Sequence, residues 1–370
     1  MGDCDAGSKH TVMGRTLSGR TVLLTGHTGF KGGWIALWLH SLGARVVGVA
    51  LPAASPDGIF HAARLEGIVD HRIADIRDPE GFGRAVAGVS PDLLIHMAAQ
   101  PLVTASFDDP VGTFQTNAVG TAVVLDAARR MPSLEATIVV TSDKCYENSG
   151  APWGFRESDP MGGDDPYSAS KGCTELVAAS FRRSFTELRR LATVRAGNVI
   201  GGGDWSADRL VPDIVRAAAS GEPVTIRNPG HVRPWQHVLE PLEGYLMLAE
   251  RLLGEDGERW AEAWNFGPGP EGAVDVGTLA ALACAAWGAD APSLRMDSSV
   301  DGPRESESLR LDTGKARQRL GWSARMELPE AVSFTADWYR AQARGDDMRA
   351  YSLEQIECHA RSAATLREAA

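Results

Sequence analysis

The sequence predicts an α/β protein in which a doubly wound parallel sheet is followed by a smaller mixed α/β domain on its C-terminal side. Three observations support this fold class. Short, apolar, β-branched runs alternate with helical patterns over the first half of the chain. A glycine-rich turn joins the first predicted strand to the first predicted helix, and glycine and proline punctuate the chain after Asn198. The 370 residues leave room for two such domains.

The elements of the first half are predicted from their hydrophobic patterns. Buried strands are predicted for the apolar runs 20–25, 44–50, 93–95, 137–140 and 190–194, and helices for 33–42, 111–130 and 167–185. Because strands and helices alternate at this spacing, we expect parallel strands that are covered by helices on both faces. Helical patterns recur at 241–253 and 276–287 in the loop-rich second half, which we expect at the carboxyl ends of the strands.

Composition and charge disfavour several classes of protein. With 48 acidic and 37 basic residues, the net charge of −11 argues against nucleic acid or an anionic membrane as a partner. The five cysteines lack CxxC spacing, so neither a disulfide framework nor a metal site is predicted. The chain begins without an apolar signal sequence, and no apolar stretch approaches the roughly 18 residues of a membrane span. We therefore expect a cytoplasmic protein.

Gly26, Gly29 and Gly32 stand three residues apart between the first predicted strand and helix. This spacing is a wider relative of the Rossmann fingerprint, in which glycines let the backbone approach a pyrophosphate at a helix N-terminus. A tight turn without a ligand is the alternative. The acidic residue that usually binds the adenosine ribose is missing at 49–51, so both NAD and NADP stay open. Asp75 is a candidate contact on the adenine side, with an ordinary surface acid as the alternative.

The glycine motif and the change of texture after residue 198 set the predicted domain boundaries. Residues 1–16 are expected to form a flexible leader and 17–198 a Rossmann-type NAD-binding domain. Residues 199–345 are expected to form mainly the substrate domain, with some segments returning to the first domain. Residues 346–370 are predicted to be a helical tail.

Tyr167 and Lys171 are one helical turn apart, so the phenol and the ammonium share one face of a predicted helix. A cation beside a phenol lowers its pKa from about 10 toward neutrality, which makes a base that can accept a hydroxyl proton during hydride transfer. Tyr-x-x-x-Lys spacing is common by chance, but here it follows a dinucleotide-type loop. The pair is therefore predicted to be catalytic.

The run Thr-Ser-Asp-Lys at 141–144 directly follows a predicted strand. One hydroxyl in this place, such as that of Thr141, suffices for a simple dehydrogenase, as a hydrogen-bond donor to the substrate oxygen. Asp143 and Lys144 add a second proton donor and a second base, which an elimination step requires. A solvated turn is the alternative interpretation.

These motifs, in this order, resemble those of the extended short-chain dehydrogenase/reductases, and most closely those of the CDP-glucose 4,6-dehydratases. The resemblance covers roughly residues 17–355. Its specific runs are Thr-Gly-His-Thr-Gly-Phe-Lys-Gly at 25–32, Thr-Ser-Asp-Lys-Cys-Tyr at 141–146 and Arg-Pro-Trp-Gln-His at 233–237. Related dTDP-glucose dehydratases carry Asp-Glu where this chain has Asp143-Lys144, which indicates the CDP-sugar branch.

The resemblance implies a three-stage reaction with bound NAD as an internal redox partner. Tyr167, assisted by Lys171 and Thr141, is expected to accept the proton of the sugar 4-hydroxyl as hydride leaves C4. Lys144 is expected to abstract the C5 proton, and Asp143 to protonate the departing C6 hydroxyl. Hydride then returns to C6. A 4-epimerase or decarboxylase, a dehydratase for another nucleotide sugar, and a non-catalytic dinucleotide sensor remain the alternatives.

Binding residues are also implied by the resemblance. Asn198, Arg209 and Arg233 are expected to bind the nucleotide-sugar substrate, the arginines through its diphosphate; a structural ion pair is the alternative for Arg233. Asn117 resembles an asparagine that holds the active-site lysine. Cofactor contacts are expected from Gly26, Thr28, Gly29, Phe30, Lys31, Gly32, Asp75, Ile76, Ala98, Ala99, Gln100, Asn117, Tyr167 and Lys171.

Three further points follow from the same resemblance. The helices predicted at 111–130 and 167–185 resemble those of a four-helix contact between subunits, so a homodimer or homotetramer is expected. Thr104 departs from the pattern, because related dehydratases carry arginine there. Trp205 and Trp235 are candidates for stacking on the nucleotide base, with core packing as the alternative.

Overall fold

The computed structural model describes residues 16–148, 150, 153–297 and 309–368. Residues 1–15 of the predicted leader lie outside the described residues. Within the described ranges, no helix combines the length and the apolar character that a membrane crossing requires.

Strands and helices alternate through the first half of the chain, as the hydrophobic pattern predicts. The strands are β1 (Thr21–Thr25), β2 (Arg45–Ala50), β3 (Asp70–Ile73), β4 (Leu93–His96), β5 (Ala136–Val140), β6 (Leu191–Ala196), β7 (Val199–Ile200), β8 (Val224–Arg227), β9 (Val232–Pro234), β10 (Gln236–His237), β11 (Ala263–Phe266), β12 (Ala273–Asp275) and β13 (Leu294–Asp297). The helices are α1 (Phe30–Ser41), α2 (Ile59–Ala62), α3 (Pro79–Val86), α4 (Val103–Asp108), α5 (Pro110–Phe114), α6 (Gly120–Ala128), α7 (Pro166–Ser184), α8 (Leu210–Ser220), α9 (Leu239–Leu253), α10 (Val276–Trp287), α11 (Leu328–Arg344) and α12 (Met348–Glu368).

A seven-stranded sheet in the order β11-β6-β5-β4-β1-β2-β3 forms the centre of the molecule, and all its neighbouring strands are parallel. From β1 the chain first builds β2 and β3 on one side, and then β4, β5 and β6 on the other. This reversal of direction defines a doubly wound sheet and opens a crevice at the carboxyl ends of β1 and β4. The predicted fold class is confirmed.

Side chains of β1 alternate between two hydrophobic cores, one on each face of the sheet. Val22 and Leu24 belong to a core that includes Trp34 of α1, Leu242 of α9 and much of α11. Leu23 points the other way, into a core with residues of α3, α6 and α7. A parallel sheet that is covered on both faces needs apolar residues at successive positions, which explains the continuous hydrophobic runs of the sequence.

The second half adds small sheets of mixed direction. β7 pairs with β10 and β8 with β13 in parallel, whereas β9 and β12 are antiparallel. β11 then returns to the central sheet and pairs with β6. The predicted boundary at residue 198 falls at the turn between β6 and β7, and the division into two domains stays a prediction.

The predicted helix 111–130 is interrupted. α5 and α6 are joined by a wide helical turn, Gln115–Val119. In this turn the Asn117 side chain bonds to the backbone of Gln100, and the Asn117 carbonyl oxygen accepts hydrogen bonds from the hydroxyls of Thr121 and Thr174. The bonds with Gln100 and Thr174 reach outside this helical segment, and hydrophobic periodicity does not record them.

The C-terminal helix α12 is anchored to the rest of the protein. His359 is buried and lies 3.5 Å from Glu243 and 3.8 Å from Glu240, two buried carboxylates of α9. Arg325 forms an ion pair with the same Glu243. Arg349, near the start of α12, donates a hydrogen bond to the carbonyl oxygen of Ala63 at 2.7 Å. This helix lies in the segment predicted to be a helical tail.

Candidate functional site

A cleft of about 1110 Å³ lies over the carboxyl ends of the central strands, and residues from both halves of the chain line it. With one exception, Asn117, the structure brings all the predicted site residues to this cleft. They are Gly26, Thr28, Gly29, Phe30, Lys31, Gly32, Asp75, Ile76, Ala98, Ala99, Gln100, Thr141, Asp143, Lys144, Tyr167, Lys171, Asn198, Arg209 and Arg233. The crevice of a doubly wound sheet is the usual ligand site of this fold.

The turn between β1 and α1 depends on missing side chains. Gly26 has a φ of +78°, and a Cβ there would lie 2.7 Å from the amide nitrogen of Ala98. A Cβ on Gly32 would overlap the carbonyl oxygen of Gly26, whereas one on Gly29 would meet nothing nearer than 3.4 Å. The bare turn brings the backbone to the cleft at the N-terminus of α1, where N–H groups lack partners within the helix. These features fit the pyrophosphate of a dinucleotide.

The other end of the cleft, beside β2, contains a paired acid. Arg77 Nη2 lies 2.6 Å from Asp75 Oδ2, and the Arg77 backbone N–H donates to Asp75 Oδ1 at 2.8 Å. The hydrogen bonds from Arg77 lower the pKa of Asp75. β2 ends in Ala50, and Leu51 follows it along the cleft. Asp75 thus supplies a carboxylate to the end of the cleft where β2 provides none.

Asn117 differs from its prediction as a cofactor contact. It is buried behind the cleft wall, where its Oδ1 accepts a hydrogen bond from the Gln100 amide at 2.9 Å and its Nδ2 donates to Ser170 Oγ at 2.8 Å. Ser170 precedes Lys171 on α7. Asn117 therefore joins the Ala98–Ala99–Gln100 wall to the helix that carries Tyr167, and its contact with the lysine is indirect.

Thr141 also differs from its prediction. Its hydroxyl donates to Glu175 Oε1 at 2.5 Å and contacts the carbonyl oxygen of Val194 at 3.2 Å, so it is engaged away from Tyr167. Ser142 instead forms the hydrogen bond with the Tyr167 phenol. The physical reason is the alternation of a strand: successive side chains point to opposite sides, and only one of the two hydroxyls can face the phenol.

The phenol of Tyr167 is buried, and burial raises its pKa to about 12. The hydrogen bond with Ser142 and the charge of Arg209 oppose this rise, whereas the charge of Asp143 adds to it. The charge of Lys171 is not one of the leading causes of this shift, although the Tyr-x-x-x-Lys spacing predicts that the ammonium lowers the pKa of the phenol. Its Nζ lies 3.4 Å from the carbonyl oxygen of Val140, to which it donates.

Lys171 and Lys31 are two buried ammonium groups in the same cleft. Burial and, to a lesser extent, the charge of Lys31 lower the pKa of Lys171 to about 8, and the charge of Glu175 opposes the shift. Burial likewise lowers the pKa of Lys31 to about 8, helped by the charge of Arg209. Both groups are therefore close to the point of losing a proton just above neutral pH.

The environment of Asp143 disfavours the ionised form of its carboxyl group. Its side chain is 3% exposed, and burial raises its pKa despite the nearby charge of Lys144. Oδ1 accepts a hydrogen bond from Ser142 at 3.1 Å, and Oδ2 is buried without a hydrogen-bond partner among the described residues. Lys144, the next residue, lines the cleft.

The predicted substrate residues also line the cleft. Asn198 follows β6, and Arg209 precedes α8 with its Nη1 3.8 Å from Asp204 Oδ2. Arg233 is buried, and its Nη1 donates to the carbonyl oxygen of Val232 at 2.9 Å. Both arginines line the cleft of a protein whose net charge is negative.

The two tryptophans differ in their surroundings. Trp235 is buried and donates from Nε1 to the carbonyl oxygen of Val274 at 3.2 Å. Trp205 is half-buried and packs edge-on against Tyr339, with the ring centroids 5.4 Å apart. Both line the cleft. The hydrogen bond of Trp235 supports the structural interpretation for that residue.

Thr104 links the two sides of the cleft mouth. Its hydroxyl donates to Asp208 Oδ2 at 3.2 Å, and Arg227 Nη2 lies 2.9 Å from Asp208 Oδ1. Related dehydratases are expected to carry an arginine at this position of α4. This chain has the neutral Thr104 there, and Arg227 on β8 supplies the nearby positive charge.

Sequence reasoning missed two residues of the site. Ser142 belongs to the same Thr-Ser-Asp-Lys run. The direction in which each side chain points at the end of the strand is the information that would favour it over Thr141. Glu175 lies one helical turn beyond Lys171 and two beyond Tyr167, so its spacing could have placed it on the same helix face. Among the residues that the structure describes, no group of three His, Cys, Asp or Glu side chains could hold a metal ion.

Comparison with characterised proteins identifies close relatives. The chain is 46% identical over 348 residues to the CDP-glucose 4,6-dehydratase of Salmonella typhimurium, covering 91% of this chain and 95% of that protein. It is 29% identical over 361 residues to a dTDP-glucose 4,6-dehydratase of Xanthomonas campestris, covering 91% and 98% of the two chains.

Solved structures show the same fold. The dTDP-glucose 4,6-dehydratase of Streptomyces venezuelae, with NAD and TYD bound, superposes with a TM-score of 0.75 at 24% identity and covers 89% of this chain and 99% of its own. A UDP-glucose 4-epimerase of Thermotoga maritima gives a TM-score of 0.75 at 23% identity, covering 87% and 99%. The GDP-mannose 4,6 dehydratase family matches residues 23–335. The chain therefore belongs to the GDP-mannose 4,6 dehydratase family, a family of nucleotide-sugar 4,6-dehydratases, and the family recognised from the sequence motifs is confirmed.

Proposed function

We propose that this protein is a CDP-glucose 4,6-dehydratase that converts CDP-glucose to CDP-4-keto-6-deoxyglucose. The observation that carries the proposal is the pair Asp143-Lys144 beside Tyr167 in one cleft, with Asp143 buried and its pKa raised. A buried acid next to an amine supplies the proton donor and the base that loss of water requires. The 46% identity to the Salmonella typhimurium enzyme supports the choice of CDP-glucose.

The first stage is removal of the proton from the sugar 4-hydroxyl. Tyr167 accepts this proton, and Ser142 holds the phenol and the substrate oxygen by hydrogen bonds. Because burial raises the pKa of Tyr167 to about 12, the phenolate needs help, and the ammonium of Lys171 supplies it when substrate and cofactor fill the cleft. NAD, when bound at the glycine turn, supplies the acceptor for the C4 hydride and its later return to C6.

The second stage is elimination of water across C5 and C6. Once C4 is a ketone, the C5 proton becomes acidic, and Lys144 removes it. Asp143 donates a proton to the departing C6 hydroxyl, so one water leaves, and Lys144 gives its proton back to C5 when hydride returns to C6. A raised pKa favours this donation because it keeps the carboxyl protonated closer to neutral pH.

Binding of the diphosphate falls to two guanidinium groups. Arg209 and Arg233 hold the substrate diphosphate, and Asn198 holds the sugar nucleotide near the end of β6. We propose NAD as the cofactor, bound by the turn at Gly26–Gly32 and, on the adenine side, by the Asp75 carboxylate, whose negative charge disfavours the additional phosphate of NADP. Because the neighbouring Arg77 is a cation that suits a phosphate, the affinities for NAD and NADP are measured side by side to test this choice. We place the protein in the cytoplasm.

We propose that the protein is a homodimer, or a homotetramer built from such dimers. Phe107, Val111 and Leu176 are 45%, 65% and 62% exposed, and they lie on helices α4, α5 and α7. Large apolar side chains exposed on neighbouring helices are typical of a subunit interface. Sedimentation of the purified protein tests this, and a monomer at micromolar concentration would contradict it.

Incubation with CDP-glucose and NAD tests the proposed function. We expect a product with the alkaline absorbance of a 4-keto sugar and a mass lower by one water. The dTDP-, UDP- and GDP-glucose analogues serve as matched substrates, and a preference for one of them would overturn the choice of base.

The substitution Lys144→Ala separates a dehydratase from a 4-epimerase. A dehydratase stalls after oxidation at C4, so reduced cofactor accumulates without loss of water. An epimerase needs Tyr167 and Lys171 but not Lys144, so its turnover would largely survive. Substantial turnover of the variant would contradict the elimination role.

A further inference from the structure

Glu175 is a buried carboxylate at the centre of the catalytic elements. It lies on α7, eight residues after Tyr167 and four after Lys171, so the three side chains share one face of the helix. Its side chain is 6% exposed. A carboxylate buried to this extent requires a full set of partners.

Both oxygens of Glu175 are occupied by donors from the sheet. Oε1 accepts from Thr141 Oγ1 at 2.5 Å and from Arg195 Nε at 2.8 Å. Oε2 accepts from Thr193 Oγ1 at 2.7 Å and from Arg195 Nη2 at 2.9 Å. Thr193 and Arg195 lie on β6, whereas Thr141 directly follows β5. One carboxylate thus joins α7 to two strands.

The contact with Thr141 lies next to the reacting groups. Ser142 and Asp143 follow Thr141 immediately, while Tyr167 lies on the helix that carries Glu175. The Thr141–Glu175 hydrogen bond therefore links the segment that carries the hydroxyl and the acid to the helix that carries the phenol. Thr193 makes an equivalent bond to the same carboxylate but does not line the cleft.

Glu175 also acts on Lys171 through its charge. Although burial opposes ionisation, the hydrogen bonds from Arg195, Thr141 and Thr193 and the charge of Arg195 together lower the pKa of Glu175, so the group is an anion at neutral pH. That negative charge favours the ammonium form of Lys171 against burial and against Lys31. Arg195 is fixed in turn by a hydrogen bond between its Nη1 and the Tyr146 hydroxyl at 2.6 Å.

We propose that Glu175 is a positioning residue of this enzyme, which holds the Ser142–Asp143 segment in register with Tyr167 and Lys171 through the hydroxyl of Thr141. This inference rests on the proposed dehydratase function. The bond does not touch the substrate. Its effect is on the geometry of proton transfer, because displacements of about 1 Å in a catalytic group can lower the rate by about 10²-fold.

Paired threonine substitutions test this proposal. Thr141→Val removes the hydroxyl but keeps the shape, and we expect kcat to fall at least about tenfold while KM changes less than about twofold. Thr193→Val removes an equivalent hydrogen bond from the other oxygen and should lower the melting temperature by a similar amount, with kcat within about threefold of the parent. Thr141→Ser retains the hydroxyl and should restore most of the rate.

Equal losses of kcat in Thr141→Val and Thr193→Val would overturn the proposal, because they would reflect stability alone. An unchanged kcat in Thr141→Val would overturn it too. For the charge of Glu175, the substitution Glu175→Gln should move the alkaline limb of the rate profile to lower pH, since Lys171 loses a neighbouring anion. If that variant does not fold, the threonine set still decides the outcome.

A readout without substrate keeps this result separate from the proposed function. Hydrogen exchange measured by mass spectrometry should increase in the peptide around 141–146 for Thr141→Val and not for Thr193→Val. If the parent protein does not convert CDP-glucose, the proposed function fails, and the exchange pattern still tests the positioning role. If the parent is active but the two variants exchange alike and turn over alike, the positioning role fails by itself.

Discussion

Ser142 and Tyr167 share a hydrogen bond at the carboxyl end of β5, and this bond lowers the pKa of a phenol that burial raises to about 12. Of burial and the hydrogen bond, only the hydrogen bond favours the phenolate, and replacing the serine removes it. Ser142→Ala should therefore raise the kinetic pKa on the acid side and lower kcat at pH 7 by about 10²-fold. Ser142→Thr restores a hydroxyl and should recover most of the rate.

The measurement is kcat as a function of pH with CDP-glucose. Ser142 also accepts a hydrogen bond from the Lys144 amide at 3.2 Å, so the melting temperature of each variant must be compared. Ser142→Ala with parental kcat and an unshifted acid limb would show that another group provides the hydroxyl.

Burial of the Asp143 carboxyl destabilises the folded protein to an extent that depends on pH. The pKa of Asp143 in the folded protein lies above its pKa in the unfolded chain, which is about 3.9. The carboxylate thus destabilises the fold fully above the folded pKa, and this destabilisation disappears as pH falls toward the unfolded pKa. Asp143→Asn should raise the free energy of unfolding at pH 8, with a gain that shrinks on acidification.

Urea unfolding at several pH values checks this expectation. Asp256→Asn, at an exposed position on the loop after α9, is a matched control and should show no such trend. A gain that grows as pH falls would have the wrong sign and would contradict a raised pKa for Asp143.

Lys31 and Lys171 compete for protons in the cleft. The pKa of Lys171 is about 8, and the charge of Lys31 contributes to that lowering. Since the proposed reaction needs Lys171 as an ammonium, the rate should decline above this pH. Lys31→Met removes the repulsion and should shift the alkaline limb to higher pH, by up to roughly one unit.

The profile is measured at saturating NAD and substrate, so that altered cofactor binding does not enter. Lys31→Arg keeps the positive charge over the whole pH range and should leave the alkaline limb in place or move it slightly to lower pH. If Lys31→Met and Lys31→Arg give the same limb, repulsion between the two lysines does not set it.

Gly32 and Gly29 give a contrast within one turn. A Cβ on Gly32 would overlap the carbonyl oxygen of Gly26, whereas one on Gly29 meets nothing nearer than 3.4 Å, at a φ of −81° that any residue adopts. Gly32→Ala should destabilise the protein by about 1–3 kcal/mol and weaken NAD binding. Gly29→Ala should change stability by less than about 0.5 kcal/mol.

Thermal unfolding without NAD compares the stability of the two alanine variants. A titration followed by tryptophan fluorescence then compares their affinity for NAD. Equal melting temperatures for the two alanine variants would mean that the turn can shift to accept a Cβ at position 32.

The sheet could be predicted from the sequence because its signals are local. A continuous apolar run such as Thr21–Thr25 needs burial on both faces, and the spacing of such runs implies parallel strands. The pairing of Ala263–Phe266 with β6 could not be predicted in this way. It joins segments about 70 residues apart, and no local pattern specifies the partner of an edge strand.

The residues of the site were predictable in position but less so in role. Motif spacing placed Tyr167 and Lys171 on one helix face, as found. Neither spacing nor composition states which way the residues just after a strand face, so the sequence favours Thr141, whereas the structure places Ser142 at the phenol. Burial was also invisible to the sequence, and it outweighs the lysine in setting the pKa of Tyr167.

The return of β11 to the outer edge of β6 determines how this protein can be divided. The chain completes its central sheet only after it has built β7, β8, β9 and β10 on the opposite side of the cleft. A fragment that ends near residue 198 would leave β6 as an unprotected edge, with Arg195 on it, open to pairing with other chains. The substrate half is therefore no exchangeable module. Substitutions in the loops between β6 and β11 leave the central sheet complete, so changes of sugar-nucleotide specificity are best made there.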